Sequence, residues 1–135
     1  MNVLVTGGAG FIGSHLVKKL YELDYHVTVL DSLSDQIHTS NPENSPLYQS
    51  IKDKVEFIKG SVCDQDIMRS ALKGQNMVVH LAAETGTGQS MYEVDKYVST
   101  NIGATSKILD LLGQESNECS RFVIASSRSI YGEGK

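Results

Sequence analysis

A glycine-rich stretch near the start of the chain has the composition of a phosphate-binding turn. Residues 6–13 read TGGAGFIG and directly follow the apolar, mostly β-branched run at 3–5. Glycines permit a sharp turn, let the backbone approach a pyrophosphate and bring the next helix close to the strand. The start of that helix would present free N–H groups and the positive end of its dipole to the phosphates. The predicted contacts are Gly7, Gly10 and Gly13.

A carboxylate further along is placed to bind the rest of a nucleotide. Asp31 ends the apolar run HVTVLD, 18 residues after Gly13. At that position a carboxylate can accept hydrogen bonds from both hydroxyls of an adenosine ribose. The alternative is that Asp31 caps a helix or is a solvated residue of a turn. An acid there also repels the extra phosphate of the 2′-phosphorylated cofactor, so the pattern predicts a dinucleotide site that favours NAD over NADP.

The last residues of the sequence contain two side chains with the spacing of a known catalytic pair. Tyr131 and Lys135 have the spacing Tyr-x-x-x-Lys, which on a helix puts both side chains on one face, where the ammonium lowers the pKa of the phenol. Two of the three spacer residues are glycine, and each disfavours a helix by about 1 kcal/mol. The pair also follows a predicted strand closely. We therefore interpret it as a turn that only resembles such a site.

The elements that must position these residues alternate between short apolar runs and stretches with helical spacing. The predicted strands are 3–5, 26–31, 55–60, 77–83 and 121–127, and the predicted helices are 12–23, about 64–72 and about 92–112. Alternation of this kind predicts an α/β fold, a Rossmann-like parallel sheet of about five strands with helices on both faces. Residues 32–50 contain both prolines and are predicted to form a long loop, functional or mobile.

Composition excludes several classes of protein. A chain of 135 residues with 40% apolar and 21% charged residues is typical of one soluble globular domain. A net charge of −4 gives no basic surface for nucleic acid, and no apolar run resembles a membrane span or signal peptide. Cys63 and Cys119 match no metal-ligand spacing, so we expect free, buried thiols, no metal site and a cytoplasmic location. The four histidines are expected to be packing or surface residues.

Several segments together resemble the extended short-chain dehydrogenase/reductase family. They are TGGAGFIGSHL at 6–16, Asp31, HLAA at 80–83, Asn101 and SSRSIYG at 126–132. Members of this family are mostly NAD-dependent nucleotide-sugar epimerases and dehydratases. The stretch HLAAETGTGQSMYEVDKYV resembles in particular the epimerases of nucleotide-linked deoxy sugars such as dTDP-rhamnose. The resemblance runs in order along the whole sequence and implies the N-terminal, NAD-binding part of such an enzyme.

The resemblance assigns contacts to the adenosine and pyrophosphate groups of NAD. The backbone of Phe11 and Ile12 would contact the pyrophosphate, and Ser32 would join the carboxylate at the ribose. Relatives commonly carry an aspartate after the glycine that follows the third strand, where it binds the adenine amino group. This sequence has Ser61 and Val62 there, so a hydroxyl and a backbone N–H would have to serve instead.

Other cofactor contacts would come from the end of the fourth strand and from the next helix. Leu81, Ala82 and Ala83 would line the cofactor, although small residues also suit a buried strand end. Asn101 lies beside the apolar stripe of the helix and would either steady the loops beside the nicotinamide or bridge helix and strand as a buried structural amide. An unsatisfied buried amide would cost about 1–3 kcal/mol.

The resemblance also places the catalytic and substrate-binding groups. Ser127, four residues before Tyr131, stands at the position of the catalytic serine or threonine. Together with Thr85 and Arg128 it would contact a dTDP- or UDP-linked sugar. Dehydratases of the family usually carry Asp and Glu directly after the catalytic residue, where this sequence has Arg128 and Ser129. An epimerase or reductase is therefore favoured over a 4,6-dehydratase.

These assignments predict a nucleotide-sugar 4-epimerase that acts by transient oxidation at C4. The alternatives are a 4-reductase or dehydratase of the same family, or a non-catalytic NAD-binding sensor. Because the family's Tyr-x-x-x-Lys and substrate domain follow later, residues 1–135 are expected to be an incomplete Rossmann domain, with weak or absent NAD binding and no turnover by itself. The apolar residues of the helix at 92–112, with Tyr92 and Tyr97, are expected at a homodimer interface.

Overall fold

Five parallel strands form the centre of the structure, a computed structural model that describes residues 1–114 and 117–132. The strands are β1 (Asn2–Thr6), β2 (His26–Asp31), β3 (Glu56–Lys59), β4 (Met77–His80) and β5 (Arg121–Ile124). Their order in the sheet is β3-β2-β1-β4-β5, and every neighbouring pair is parallel. The predicted α/β class and the strand number are confirmed.

Helices cover both faces of the sheet. The longer ones are α1 (Phe11–Glu22), α4 (Gln65–Leu72) and a helical stretch made of α6 (Val94–Val98), a π-helical turn (Ser99–Ala104) and α7 (Thr105–Gln114). Asp64 caps α4 by accepting hydrogen bonds from the backbone N–H groups of Asp66 and Ile67 at 3.0 and 3.1 Å. The predicted helix at about 92–112 is thus present, but it is shifted by two residues and carries a π-turn.

The central strands alternate their side chains between two hydrophobic cores. On β1, Val3 and Val5 pack with Val17 of α1 on one face, whereas Leu4 packs with Met68 of α4 and Ile108 of α7 on the other. Successive residues of a strand point to opposite faces, and a strand buried on both faces reads as a continuous apolar run. This is why the short apolar runs were recognisable in the sequence.

The segment after β2 is more ordered than the predicted loop. Residues 32–50 contain α2 (Asp35–His38), a 3-10 turn (Pro42–Asn44) and α3 (Pro46–Gln49). Both prolines occupy the first positions of helical turns, where a fixed φ is favourable and no N–H is needed. The segment is held against the sheet by Tyr48 and Ile51, which belong to the core around Val29. The loop prediction was therefore wrong in its secondary structure.

The described residues contain no helix long and apolar enough to cross a membrane. Cys63 and Cys119 are free thiols, but they are half-buried rather than buried as predicted. In the same part of the chain, no group of three or more potential metal ligands lies together.

Candidate functional site

The carboxyl ends of the strands open into a cavity of about 370 Å³. It lies at the end of β1, which is placed between β2 and β4. At this point the order of the strands along the chain reverses its direction across the sheet, and open α/β sheets bind their ligands at such a reversal. β4 and β5 end earlier than predicted, at His80 and Ile124, so the residues after them are loops able to form the cavity wall. Thirteen of the predicted site residues line it: Gly7, Gly10, Phe11, Ile12, Gly13, Asp31, Ser32, Ser61, Val62, Leu81, Ala82, Ala83 and Thr85.

The glycines of the turn differ in what a side chain at each position would contact. Gly7 has a positive φ of 69°, and a Cβ on it would lie 2.7 Å from the backbone nitrogen of Ala82. A Cβ on Gly13 would lie 2.2 Å from the carbonyl oxygen of Gly7. A Cβ on Gly10 would meet only that same oxygen, at 3.3 Å. The fold therefore needs Gly7 and Gly13, whereas the space beside Gly10 is open to a ligand.

The start of α1 offers uncapped donors to this space. Gly10 is the N-cap residue, its backbone is extended, and no side chain caps the helix. The first N–H groups of a helix have no partner within it, and together with the helix dipole they favour a phosphate. Phe11 and Ile12, which begin the helix, are 72% and 67% exposed. An open cradle at Gly10 next to uncapped N–H groups fits a pyrophosphate.

The Asp31 carboxylate organises the backbone on both sides of the cavity. Its Oδ2 accepts a hydrogen bond from the N–H of Ala9 at 3.0 Å, and its Oδ1 accepts one from the N–H of Leu33 at 2.9 Å. Each carboxylate oxygen can accept a second hydrogen bond, so both remain able to bind ribose hydroxyls. The half-buried carboxylate thus has a structural role that the sequence did not reveal, and ribose binding stays a prediction.

The residues after β3 complete the wall next to Asp31. Val62 is buried, and Ser61 accepts a hydrogen bond from the N–H of Cys63 at 3.1 Å. Both line the cavity. This position is required if they are to bind adenine in place of the aspartate that relatives commonly carry there. Their contact with adenine stays a prediction.

Three helix residues hold the loop that follows β4. The side chain of Asn101 accepts a hydrogen bond from the N–H of Glu84 at 2.8 Å and donates one to the Glu84 carbonyl oxygen at 3.0 Å. Tyr97 donates from its hydroxyl to the carbonyl oxygen of Thr85 at 2.8 Å. Lys96 lies 3.2 Å from the Glu84 carboxylate, and this hydrogen bond raises the pKa of Lys96.

One expectation about this helix, a buried Asn101, needs correction. The Asn101 amide is exposed rather than buried, and it is outside the described cavity lining. It bridges helix and loop, so its contribution to the cofactor site stays a prediction. The hydroxyl of Tyr97 is engaged with the loop, whereas Tyr92, just before the helix, is 87% exposed. The first part of the predicted apolar stripe, Val94, Val98 and Ile102, is exposed, whereas its last part, Ile108 and Leu112, packs in the core.

The segment after β2 contributes site residues that no motif indicated. Gln36 and His38 line the cavity. The side-chain amide of Gln36 donates to the Thr85 carbonyl oxygen at 3.0 Å, and the buried His38 ring lies 2.9 Å from the hydroxyl of Ser45. The length of the segment was the only signal available, and it did not identify individual residues.

The predicted catalytic region lies beside the cavity. Ala125, directly after β5, belongs to the lining, and Ser127 follows two residues later as an exposed residue outside that lining. Arg128 begins a 3-10 turn that ends at Tyr131. Tyr131 is 84% exposed, and Gly132 leaves the turn with a φ of 70°. Lys135 lies outside the described residues, so the interpretation of the Tyr-x-x-x-Lys pair stays a prediction.

His80 is a buried histidine behind the cavity wall. Its Nδ1 lies 2.7 Å from the hydroxyl oxygen of Thr6, its Nε2 lies 3.1 Å from that of Thr105, and its ring stacks on Phe122. Removal of the ring from water lowers the pKa of His80 below 6.5, because burial disfavours the charged form.

Stability should therefore depend on His80 at mildly acidic pH. The unfolded chain binds a proton near pH 6.5, whereas the folded chain does so only at lower pH, so the contribution is complete above 6.5 and is lost as the pH falls through the folded pKa. Urea unfolding at pH 7.5 and 5.5 should show this loss. The loss of stability at pH 5.5 should vanish in His80→Gln. It should persist in His26→Gln, because His26 is exposed. An equal loss in His80→Gln would contradict this assignment.

Together, the parallel sheet, the glycine turn with its uncapped helix and the acid at the end of β2 define a Rossmann-type dinucleotide-binding domain. A family model described as "NAD dependent epimerase/dehydratase family" matches residues 3–135. The chain belongs to this family, which confirms the resemblance seen in the sequence. Its cofactor is NAD, and the cradle at Gly10 and the Asp31 carboxylate fit that molecule.

The relatives of the chain include both epimerases and dehydratases. The dTDP-L-rhamnose 4-epimerase of Burkholderia thailandensis is 34% identical over 134 residues, which cover 98% of this chain and 36% of that protein. A dTDP-glucose 4,6-dehydratase of Streptomyces niveus is 33% identical over 98% of this chain and 39% of its own. The chain thus spans roughly two fifths of the length of these relatives.

A solved structure shows the same fold with ligands present. A mutant UDP-glucuronic acid 4-epimerase from Bacillus cereus, in complex with NAD and UDP-4-deoxy-4-fluoro-glucuronic acid, matches with a TM-score of 0.83 at 31% identity. The match covers 100% of this chain and 43% of that one.

Proposed function

We propose that this protein is a nucleotide-sugar 4-epimerase and that the described chain is its NAD-binding part. The observation that carries the choice of reaction is the pair Arg128 and Ser129 directly after Ser127. Dehydratases resembling this chain usually have two acids at those positions to manage the loss of water from the sugar. A 4-reductase would use the same site and is the second candidate.

The chain's own residues would hold NAD in an extended conformation across the sheet. The donors at the start of α1 would bind the pyrophosphate, and Asp31 would bind the adenosine ribose. The small side chains of Ala82 and Ala83, which line the cavity, would let the nicotinamide ring lie against the backbone. Bound there, NAD supplies a reversible hydride acceptor.

Ser127 would act on the sugar itself. It follows β5, next to the cavity wall at Ala125, and its hydroxyl would hydrogen-bond to the C4 oxygen while that carbon is oxidised. The C4 hydride would pass to NAD and the proton of the C4 hydroxyl to the tyrosine of the family's Tyr-x-x-x-Lys motif. The resulting 4-keto sugar would rotate, and the hydride would then return to the other face of C4 as its oxygen regains the proton. Thr85 and Arg128 would contact the nucleotide sugar, which we place among the dTDP- and UDP-linked sugars.

The proposed reaction can be separated from its alternatives by isotope and mass. The full-length protein would be incubated with NAD and a panel of dTDP- and UDP-sugars carrying deuterium at C4. An epimerase should return the deuterium to C4 of a product of unchanged mass. A dehydratase product would lack one water. A reductase would be detected in a parallel incubation of unlabelled 4-keto sugars with NADH, which it would consume. Absence of turnover on every sugar, with NAD bound, would favour a non-catalytic sensor.

Replacing Asp31 with alanine should weaken NAD binding by about 1–3 kcal/mol, because charge-assisted hydrogen bonds to the ribose are lost. NADP should lose less, since the repulsion of its extra phosphate disappears too. Isothermal titration calorimetry with both cofactors measures the difference. Asp35→Ala is the matched control, because Asp35 is an exposed acid of α2 outside the described lining. Unchanged NAD affinity in Asp31→Ala would remove this residue from the site.

We also propose a cytoplasmic homodimer. The two free thiols suit a reducing compartment. Val94, Val98 and Ile102, spaced four residues apart, are 58%, 48% and 65% exposed on one face of the helix. An exposed apolar face of this kind is suited to pairing with a second copy of the chain.

A further inference from the structure

The hydrogen bonds around His80 determine which of its ring nitrogens carries the proton. The hydroxyl oxygen of Thr6 accepts a hydrogen bond from the N–H of Ala82 at 3.3 Å, which leaves its own proton to be donated to Nδ1 of His80, 2.7 Å away. On the other side, the Thr105 hydroxyl donates to the carbonyl oxygen of Asn101 at 3.0 Å. That hydroxyl can then only accept from His80, so the proton lies on Nε2.

The opposite tautomer would leave a buried donor without an acceptor. With the proton on Nδ1, the Thr6 oxygen would accept from both Ala82 and His80, and its own proton would lose its acceptor. Buried polar groups are almost always satisfied, and an unmade bond of this kind is costly. A protonated ring would meet the same conflict. The contacts of His80 thus select a neutral ring with its proton on Nε2.

The resulting chain of hydrogen bonds joins two walls of the cofactor cavity. At one end, Thr6 is the last residue of β1 and immediately precedes Gly7 of the glycine turn. At the other end, Asn101 lies in the π-helical turn, and its side chain forms two hydrogen bonds with the backbone of Glu84. π-turns in helices frequently occur at functional sites. His80 lies between these ends and is itself outside the described lining.

We propose that His80 is a positioning residue of the NAD site: as the neutral Nε2–H tautomer, it sets the position of the loop at Glu84 relative to the glycine turn. It contacts Thr6 and Thr105 directly and acts on the cofactor only through them. The inference depends on NAD binding alone, so it holds whichever sugar reaction the protein performs.

The variant that tests this inference is Thr105→Val, which has nearly the same volume but lacks the hydroxyl. NAD affinity should fall by about tenfold, and Thr105→Ser, which restores the hydroxyl, should recover most of it. Ser106→Ala is the matched control. Its hydroxyl also bonds back to a helix carbonyl, that of Gly103 at 2.9 Å, but on the exposed side of the same helix. It should change NAD affinity by less than about twofold.

Calorimetry on the full-length protein measures these affinities, and thermal unfolding checks that each variant is folded. If Thr105→Val binds NAD as tightly as Ser106→Ala does, the positioning role is wrong, even if the variant is less stable. A second measurement needs no variant. Long-range ¹H–¹⁵N NMR of the wild-type protein at pH 7 should show His80 with its proton on Nε2. A proton on Nδ1, or a charged ring, would overturn the proposal.

Discussion

Alanine at Gly13 should cost the protein at least about 3 kcal/mol of its free energy of unfolding, the upper end of the range for overpacking. The added Cβ would lie 2.2 Å from the carbonyl oxygen of Gly7 and 2.7 Å from the Cα of Gly8. Both atoms belong to the backbone of the turn, so no side-chain rotation can relieve the contact. Native domains are stable by only about 5–15 kcal/mol, and a loss of this size removes a large fraction.

Urea or guanidinium unfolding of Gly13→Ala measures the effect. Gly113→Ala is the control, because Gly113 lies in α7 and a Cβ there meets no described atom within 4 Å. Alanine in a helix is favoured over glycine by up to about 1 kcal/mol, so this variant should be as stable as the wild type or more so. If Gly13→Ala matched the control, the close approach of α1 to the turn would not be required for folding.

Valine at Gly10 should reduce NAD affinity by at least about 100-fold, which corresponds to roughly 2.7 kcal/mol. The backbone of Gly10 is extended, with φ −70° and ψ 178°, a conformation that a branched residue adopts readily. Its Cβ would meet only the Gly7 oxygen, at 3.3 Å. This contact is tight and requires the Gly7 carbonyl to shift by a few tenths of an ångström, far less than the contacts at Gly13 demand. The side chain would occupy the space that the pyrophosphate needs.

Calorimetric titration with NAD and thermal unfolding should be combined for Gly10→Val. The expected result is a strong loss of affinity with a much smaller loss of stability than in Gly13→Ala. Gly88→Val serves as the control for affinity, because Gly88 lies in the short helix α5 (Thr87–Ser90), away from the cavity lining. A folded Gly10→Val protein with normal NAD affinity would show that the pyrophosphate does not approach this turn.

The two glycines illustrate the limit of a motif. The pattern TGGAGFIG and its place between a strand and a helix predicted that each glycine would matter, but not why. The structure assigns one to the packing of the turn and the other to the open space of the cavity. That distinction depends on distances between backbone atoms, which no sequence pattern contains.

The sequence by itself determined the family and most of the strands and longer helices, because motifs and periodicities lie within short stretches of the chain. The apolar run at 26–31 and the first four residues of the run at 77–83 became buried strands, and the spacing at 12–23 became α1 within one residue. Periodicity also grouped Val94, Val98 and Ile102 on one helix face. It could not show that this face is exposed, since burial depends on what packs against a helix.

Only the tertiary structure decided how the site is assembled, because its bonds join residues that are distant in sequence. Asp31 bonds to Ala9 across 22 residues, Gln36 to Thr85 across 49, and Thr6 to His80 across 74. Each depends on the order of the strands and the register between them, as in the pairing of Thr6 with both Leu30 and His80. Neither the order of the strands nor their register is encoded in a local pattern, because both arise when the cores on the two faces of the sheet are packed together.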